Sequence, residues 1–413
     1  AEVEAVVAAA TALQQRHPML RAGLSFGKAG QPFFDLGVGE AVEVRQYKED
    51  SGLQAFVEAE LHDTALPVKC CGWRLAVCGP HIVVTYAHAF MDGKSVMVLL
   101  QDLLTCLNKE KLDDDPGGGR ITPSCMDMLN AEKCASEGCD FAVPPKSTTS
   151  AAVTAKTAAM PPAVKLPTHV RTIPETTDFE PGSRTFFVWR KLSADQTASL
   201  STRCRAEGTT MQGVFGAATL RAFQSADRRP QGWYTVSTVD MRRYCDDCAR
   251  TVSSMYGFLR LPSLTSTSCE GSSFWDVARK YRDGILAELR ETWHFTYQQQ
   301  PSVPYVVYCC QLAWFPEFIR DTFMPSDGKV LVSNRGKYQL VTESHCVTAL
   351  YVVSRWLTQG HNVHCCTVNG ELFISLYCPS TEQGKATAAA AADQFVDELL
   401  KASAGSEADP ATM

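Results

Sequence analysis

The residues best suited to chemistry stand in one short segment, Tyr86-Ala87-His88-Ala89-Phe90-Met91-Asp92-Gly93-Lys94-Ser95. A histidine titrates near neutral pH and can take a proton from an attacking hydroxyl or amine. Asp92 follows it by four residues, and can turn back to anchor the loop that holds the imidazole. Gly93 reads as the residue that permits a tight turn with positive φ. A His-x-x-x-Asp-Gly string arises by chance in roughly a few per cent of chains of this size. The string alone therefore does not separate a general base from an ordinary strand-end histidine.

The elements around it do more. Two apolar runs, Trp73–Val77 and Ile82–Tyr86, are joined by Gly79-Pro80, which is a hairpin signature. The second run delivers His88. Beyond Asp92-Gly93, the stretch Lys94–Leu107 is apolar at Val96, Met97, Leu99, Leu100, Leu103 and Leu104, which predicts a helix with one buried face. Asp92 stands where its N-cap belongs. A strand, a short loop and a capped helix thus present the histidine.

The rest of the chain alternates in the same way. Val3, Val6, Val7, Ala10 and Leu13 mark a first helix, which Pro18 ends within Arg16-His17-Pro18-Met19-Leu20-Arg21. Strands are expected near Phe33–Leu36 and Val42–Gln46, and a helix over Leu53–Leu61. From Lys109 to Gly182 the character changes to Asp, Gly, then Ser/Thr/Ala/Pro, which reads as a crossover or linker. Regular pattern resumes with a strand at Arg184–Lys191 and helices at Ser193–Ala206 and Thr209–Gln224. Strands are expected at Trp233–Val239 and Gly257–Leu261, then a helix at Ser273–Leu289. The C-terminal third reads as strands at Lys329–Val332, Ala349–Ser354, Val363–Thr367 and Leu372–Tyr377, the last two joined by an Asn369-Gly370 turn. A helix over Thr381–Leu400 follows. Mixed elements in both halves indicate an α/β class with two layered domains.

The chain resembles the HxxxDG acyltransferase superfamily, which includes chloramphenicol acetyltransferase, plant BAHD enzymes, condensation domains, alcohol acetyltransferases and polyketide-associated acyltransferases. Beyond the His88 segment, Arg16–Arg21 resembles the end of that family's early helix. Cys204-Arg205-Ala206-Glu207-Gly208-Thr209-Thr210 resembles the start of its second domain's core. Val239-Asp240-Met241-Arg242 resembles its Asp-x-Arg strand end, and Val332-Ser333-Asn334-Arg335-Gly336 its Ser-Asn-x-Gly segment. The motifs occur in the family's order over most of the chain. Position 87 is Ala where condensation domains usually carry a second histidine, and the BAHD Asp-Phe-Gly-Trp-Gly segment is missing. The resemblance is therefore nearest to alcohol acetyltransferases and their fungal or mycobacterial relatives.

The resemblance implies two chloramphenicol-acetyltransferase-like α/β sandwich domains with the active site in a tunnel between them. The expected division is 1–140 for the N-terminal subdomain, 141–182 for a crossover and 183–413 for the C-terminal subdomain. It implies acyl transfer from acyl-CoA, a co-substrate rather than a bound cofactor, to a small alcohol or amine, with His88 as base. Asp92 would then be structural, paired with Arg242 from the second domain. Gly93 N–H, Ser333 and Asn334 are oxyanion or substrate candidates. One alternative is a condensation-type enzyme fed by an acyl carrier protein. Another is an inactive homologue used as a binding scaffold, against which the presence of His88, Asp92 and Arg242 argues.

Composition fits this picture. Hydrophobic residues make up 45% and charged residues 20%, with a net charge of −6. No dense basic stripe points to nucleic acid, and no apolar run approaches the roughly 20 residues of a membrane span. The 17 cysteines are odd in number and irregular in spacing, which reads as reduced core thiols and a cytoplasmic setting. No metal is expected. Cys245-Asp246-Asp247-Cys248 lacks a second pair, and His361 and His364 alternate to opposite strand faces. Gly93-Lys94-Ser95 ends like a P-loop but lacks its first glycine, since that position is His88. Gly23-Leu24-Ser25-Phe26-Gly27 matches a nucleophile-elbow string without its strand–helix setting, and reads as a loop.

Overall fold

A computed structural model describes residues 2–26, 32–36, 40–48, 52–62, 66, 68–112, 184–245, 248–291, 328–355 and 360–404. The linker expected at 141–182 lies outside these residues.

The N-terminal elements are α1 (Val3–Arg16), β1 (Gly23–Phe26), β2 (Pro32–Asp35), β3 (Val44–Gln46), α2 (Leu53–His62), β4 (Trp73–Cys78), β5 (His81–Tyr86) and α3 (Gly93–Leu107). Strands β4 and β5 form the expected hairpin, with Gly79 at φ +54°, and β3 runs parallel to β4 on its other edge. Side chains of α1, α3, β1 and β4 close one core around Trp73, Leu13, Leu24 and Leu99.

The later elements are β6 (Thr185–Leu192), α4 (Ala194–Ala206), α5 (Met211–Ala226), β7 (Tyr234–Asp240), β8 (Tyr256–Thr265), α6 (Phe274–Glu291), β9 (Lys329–Tyr338), β10 (His361–Val368), β11 (Glu371–Pro379) and α7 (Glu382–Ala404). Among the described residues the strands make a six-stranded mixed sheet, ordered β6-β11-β10-β9-β7-β8. Pairs β10/β9 and β9/β7 are parallel and the others antiparallel. Helices α4 to α7 cover one face and share a core that includes Phe215, Phe223, Tyr281, Val332, Ile374 and Phe395. Ser193 caps α4 in a reciprocal capping box with Gln196, which satisfies two otherwise orphaned N–H groups. Asn369 and Gly370 adopt φ +51° and +93°, as a two-residue hairpin turn requires.

Three expectations are corrected. First, α3 is buried on two faces rather than one. Val96, Leu99 and Leu103 enter the N-terminal core, whereas Met97 and Leu104 join Leu340, Cys366 and Phe373 on the uncovered face of the large sheet. The helix is wedged between the two halves, which explains why five successive residues, Val96 to Leu100, are apolar. Second, Gly23–Phe26 is a strand paired to β2, not a loop; with a hairpin partner and no following helix, it is not a nucleophile elbow. Third, residues 349–354 join no ladder. They run along the face of β11 and bond to side chains instead: Val352 N–H donates to Ser375 Oγ, Ser354 Oγ donates to the Tyr377 hydroxyl, and Tyr351 stacks on Trp189.

Buried cysteines such as Cys204, Cys365 and Cys378 pack as small core groups. Burial pushes the Cys378 thiol up to about 12 and that of Cys204 to about 11, so both are protonated and unreactive at neutral pH. Among the described residues, no helix is long and apolar enough to cross a membrane.

Candidate active site

Strand β5 ends at Tyr86, and the next residues turn sharply toward α3. Ala87 N–H donates to Gly72 O, and Phe90 N–H to Ala87 O. Ala89, Phe90 and Met91 are all buried. The Phe90 ring occupies the space beside Gly72, where a Cβ would come within 2.3 Å of it, and meets Phe34 edge-on. The loop is thus held by apolar packing, and His88 is its one ionisable side chain.

His88 is enclosed but keeps some accessible surface. Its ring meets the edge of Tyr256 at 4.7 Å between centroids, with Tyr86 at 6.1 Å. Nδ1 is buried and, among the described residues, has no hydrogen-bond partner. Burial depresses the imidazole below its ordinary pKa of 6.5; the charge of Asp92 opposes this and that of Arg335 reinforces it. The ring is therefore neutral at pH 7, the state a general base needs.

Asp92 caps α3, its Oδ1 accepting from Ser95 N–H at 2.9 Å. Arg242, in the 3₁₀ turn after β7, meets the same carboxylate in a fork: Nη1 to Oδ2 at 2.8 Å and Nη2 to Oδ1 at 3.1 Å. The side chains are 2% and 5% exposed, so the pair is desolvated. Ser95 Oγ–H and Met255 N–H bring the donors to the carboxylate to five. Every guanidinium N–H of Arg242 has an acceptor, drawn from Asp92, Asp240, Ser95 Oγ, Thr251 O and Ser253 O. Burial opposes the Asp92 charge, but Arg242 and the N–H donors outweigh it and hold the carboxyl below its usual range.

Two neighbours were invisible as site residues in the sequence. Ser95 bonds Asp92, Arg242 and both the N–H and C=O of Ser253. Its only signal was its place three residues after an Asp N-cap. Arg335 lies against Gly93, where a Cβ would stand 2.4 Å from Nη1. Gly93 itself is not in the positive-φ region. The expectation of a positive-φ turn is corrected: the glycine makes room for the guanidinium.

Arg335 belongs to a separate polar group. Its Nη2 stands 3.4 Å from His364 Nδ1, and His364 Nε2 is 2.8 Å from the Tyr377 hydroxyl. Burial, Arg335 and His88 together hold His364 far below its usual pKa, so it is neutral. With Arg335 donating to Nδ1, its proton belongs on Nε2, where Tyr377 accepts it. Ser333 accepts a 3.0 Å bond from Thr238 Oγ1, and Asn334 Oδ1 accepts from Gly336 N–H. Neither bonds His88.

The other motif residues act at a distance. His17 and Arg16 meet Asp102 of α3 at 2.8 and 3.2 Å, and Arg250 contacts its other oxygen. Arg16–Arg21 thus ties α1 to α3. His361 packs on Phe223 and Trp233, on the opposite face of β10 from His364. Among the described residues, no group of three metal-binding side chains occurs.

Several solved structures share this fold. The epimerization domain from the third module of tyrocidine synthetase B aligns with 14% identity over 97% of this chain and 89% of that one, at a TM-score of 0.58. Polyketide synthase associated protein 5 from Mycobacterium tuberculosis aligns with 16% identity over 99% and 92%, at 0.57. Trichothecene 15-O-acetyltransferase from Fusarium sporotrichioides aligns with 12% identity over 97% and 86%, at 0.60. At such identities the likeness establishes the two-domain α/β fold. No family model matches the sequence, and no curated relative does.

Proposed function

We propose that this chain is an acyltransferase that moves an acyl group from acyl-CoA to a hydroxyl or amine, with His88 as general base. The observation that carries the reading is a neutral, partly accessible histidine on a loop fixed by the buried Asp92–Arg242 fork. His88 accepts the acceptor's proton as the oxygen or nitrogen attacks the thioester carbonyl. The tetrahedral oxyanion then collapses, the C–S bond breaks, and the imidazolium returns its proton to the leaving thiolate. A thioester is already activated, so no covalent enzyme intermediate is needed. Gly93 N–H at the start of α3 and the Ser333 and Asn334 side chains are the proposed oxyanion donors. Asp92 is a positioning residue, because Arg242, Ser95 and Met255 take up its oxygens. The reaction centre is proposed to lie in a tunnel between an N-terminal unit over 1–140 and a C-terminal unit over 183–413.

His88→Ala is expected to lower turnover by about two orders of magnitude or more, without loss of thermal stability. Near-wild-type thiol release by the folded variant would sink the assignment. The fold is also that of an epimerization domain of a peptide synthetase, which favours carrier-protein thioesters as a second reading. Thiol release from acylated carrier protein but not from free acyl-CoA would replace the first reading with the second.

A further inference from the structure

Among the described residues, three enclosed arginines face carboxylates: Arg74 meets Glu60, Arg242 meets Asp92, and Arg16 meets Asp102. Arg335 does not. Among the described residues it has no ion pair, and its Nε is buried without a partner. It contacts the neutral His364 imidazole and the Tyr86 hydroxyl instead of a carboxylate. It also sits at the N-terminal end of α3, the positive end of the helix dipole, where an anion is favoured and a cation is not.

The backbone aims it there. Between Cys365/Asn334 and Thr367/Lys337 the β10–β9 register shifts, so β9 carries one extra residue against β10. Gly336 at φ +92° and the Asn334–Gly336 hydrogen bond form this bulge, and Arg335 is within it. Bulges re-aim side chains near functional sites. On the same face of β10 as His364, two residues earlier, the Asn362 amide is 1% exposed and neither of its polar atoms is bonded. A guanidinium next to the His88 loop that lacks a counter-charge and has an unbonded Nε, with an unbonded amide farther along the same strand face, points to a ligand that would bond them.

We propose that Arg335, oriented by His364 and Tyr86, binds a carboxylate carried by one of the two substrates that meet at His88. The inference rests on the acyl-transfer reading. A guanidinium fork matches the two oxygens of a carboxylate. The CoA phosphates are a poor match, because the whole pantetheine arm separates them from the thioester that His88 must reach. The carboxylate can belong to the acyl group or to the acceptor, and the test separates the two.

Matched compounds differing by one carboxylate are titrated into the purified full chain by calorimetry, and thiol release is followed in parallel. The donor arm compares succinyl-CoA with butyryl-CoA. The acceptor arm compares 3-phenyllactate with 2-phenylethanol, and tyrosine with tyramine. On one arm the acid is expected to bind about tenfold tighter or more, the scale of one charged hydrogen-bonded contact. Arg335→Met should abolish that preference, and Arg335→Lys should retain part of it, since the charge remains without the fork. Arg335→Gln carries the same test should the Met variant not fold. The proposal is overturned if neither arm prefers the acid or if the preference survives in Arg335→Met. It is also overturned if Arg335→Met slows acid and neutral substrates equally, which would assign the guanidinium to the reaction's oxyanion. Acid preference with no thiol release from any donor would leave the carboxylate site standing and remove the acyl-transfer reading instead.

Discussion

Arg242 and Arg335 both reach the first turn of α3 from the side of the large sheet, and the protein treats them in opposite ways. Arg242 is enclosed by Asp92, Asp240, Ser95 and two carbonyls, with each N–H bonded. Arg335, half-buried against Gly93, has a long contact to a neutral imidazole, a bond to the Tyr86 hydroxyl and, among the described residues, a bare Nε and no ion pair. A buried charge costs free energy unless partners replace its lost water. A fully partnered arginine maintains structure, whereas one without a counter-charge costs stability, which is the ground for proposing that Arg335 binds a ligand. The first holds the loop that carries His88; the second lies against Gly93, the first residue of α3.

The largest expected effect breaks the first region. Asp92→Asn or Arg242→Met strands the other charge in a buried site, at a cost of about 3–5 kcal/mol, read as a lower Tm together with lower turnover. The double variant should be less unstable than the sum of the singles; strict additivity in the cycle would dissolve the pair. Arg335→Met should do the reverse. Removing an unpaired cation in favour of an apolar side chain of similar volume should leave stability within about 1 kcal/mol of wild type, or raise it. A loss comparable to that of Arg242→Met would show that Arg335 is structural after all.

Gly93→Ala sharpens the contrast from the helix side. The new methyl would displace Nη1, the end of a flexible side chain, so the cost should be small, about 1 kcal/mol. The Asp92–Arg242 fork should survive, seen as an unchanged Asp92/Arg242 coupling energy, while substrate discrimination falls. Smallest is a pH effect. His88 is depressed below 6.5 by burial and Arg335, so the acid limb of kcat/KM should lie below pH 6.5, with activity lost as pH falls through it. In Arg335→Met that limb should move up, because one depressing charge is gone. A limb at or above 6.5 in the wild type would contradict a buried, neutral base.

Much of this arrangement was legible in the residues. The two apolar runs of β4 and β5, the Gly79-Pro80 turn and the Asp92 cap placed His88 between a strand and a helix, and the hairpin at Asn369-Gly370 followed from turn chemistry. The Asp92–Arg242 contact spans 150 positions and no local pattern encodes it; it was accessible only through the resemblance, which set Asp240-Met241-Arg242 beside the His88 motif. Arg335 was beyond reach for a different reason. Its direction depends on a bulge created by pairing with β10, and register is a property of two strands rather than one. The run Ala349–Ser354 misled for a related reason. Its β-branched and aromatic residues suit an extended chain, yet its hydrogen-bond partners turned out to be side chains of β11 rather than a neighbouring backbone.

Because α3 has one face in each core, it works as a rigid rod shared by both halves. Its first turn carries the capping carboxylate, and its body transmits any relative motion of the halves to that turn. A helix this short bends little, so a shift of one core against the other becomes a displacement of the imidazole loop. Cohesion of the halves and the placement of the His88 loop are thus a single mechanical quantity in this molecule. A change at Leu104, about three turns along the helix from Asp92, would reach the His88 loop through leverage rather than through contact.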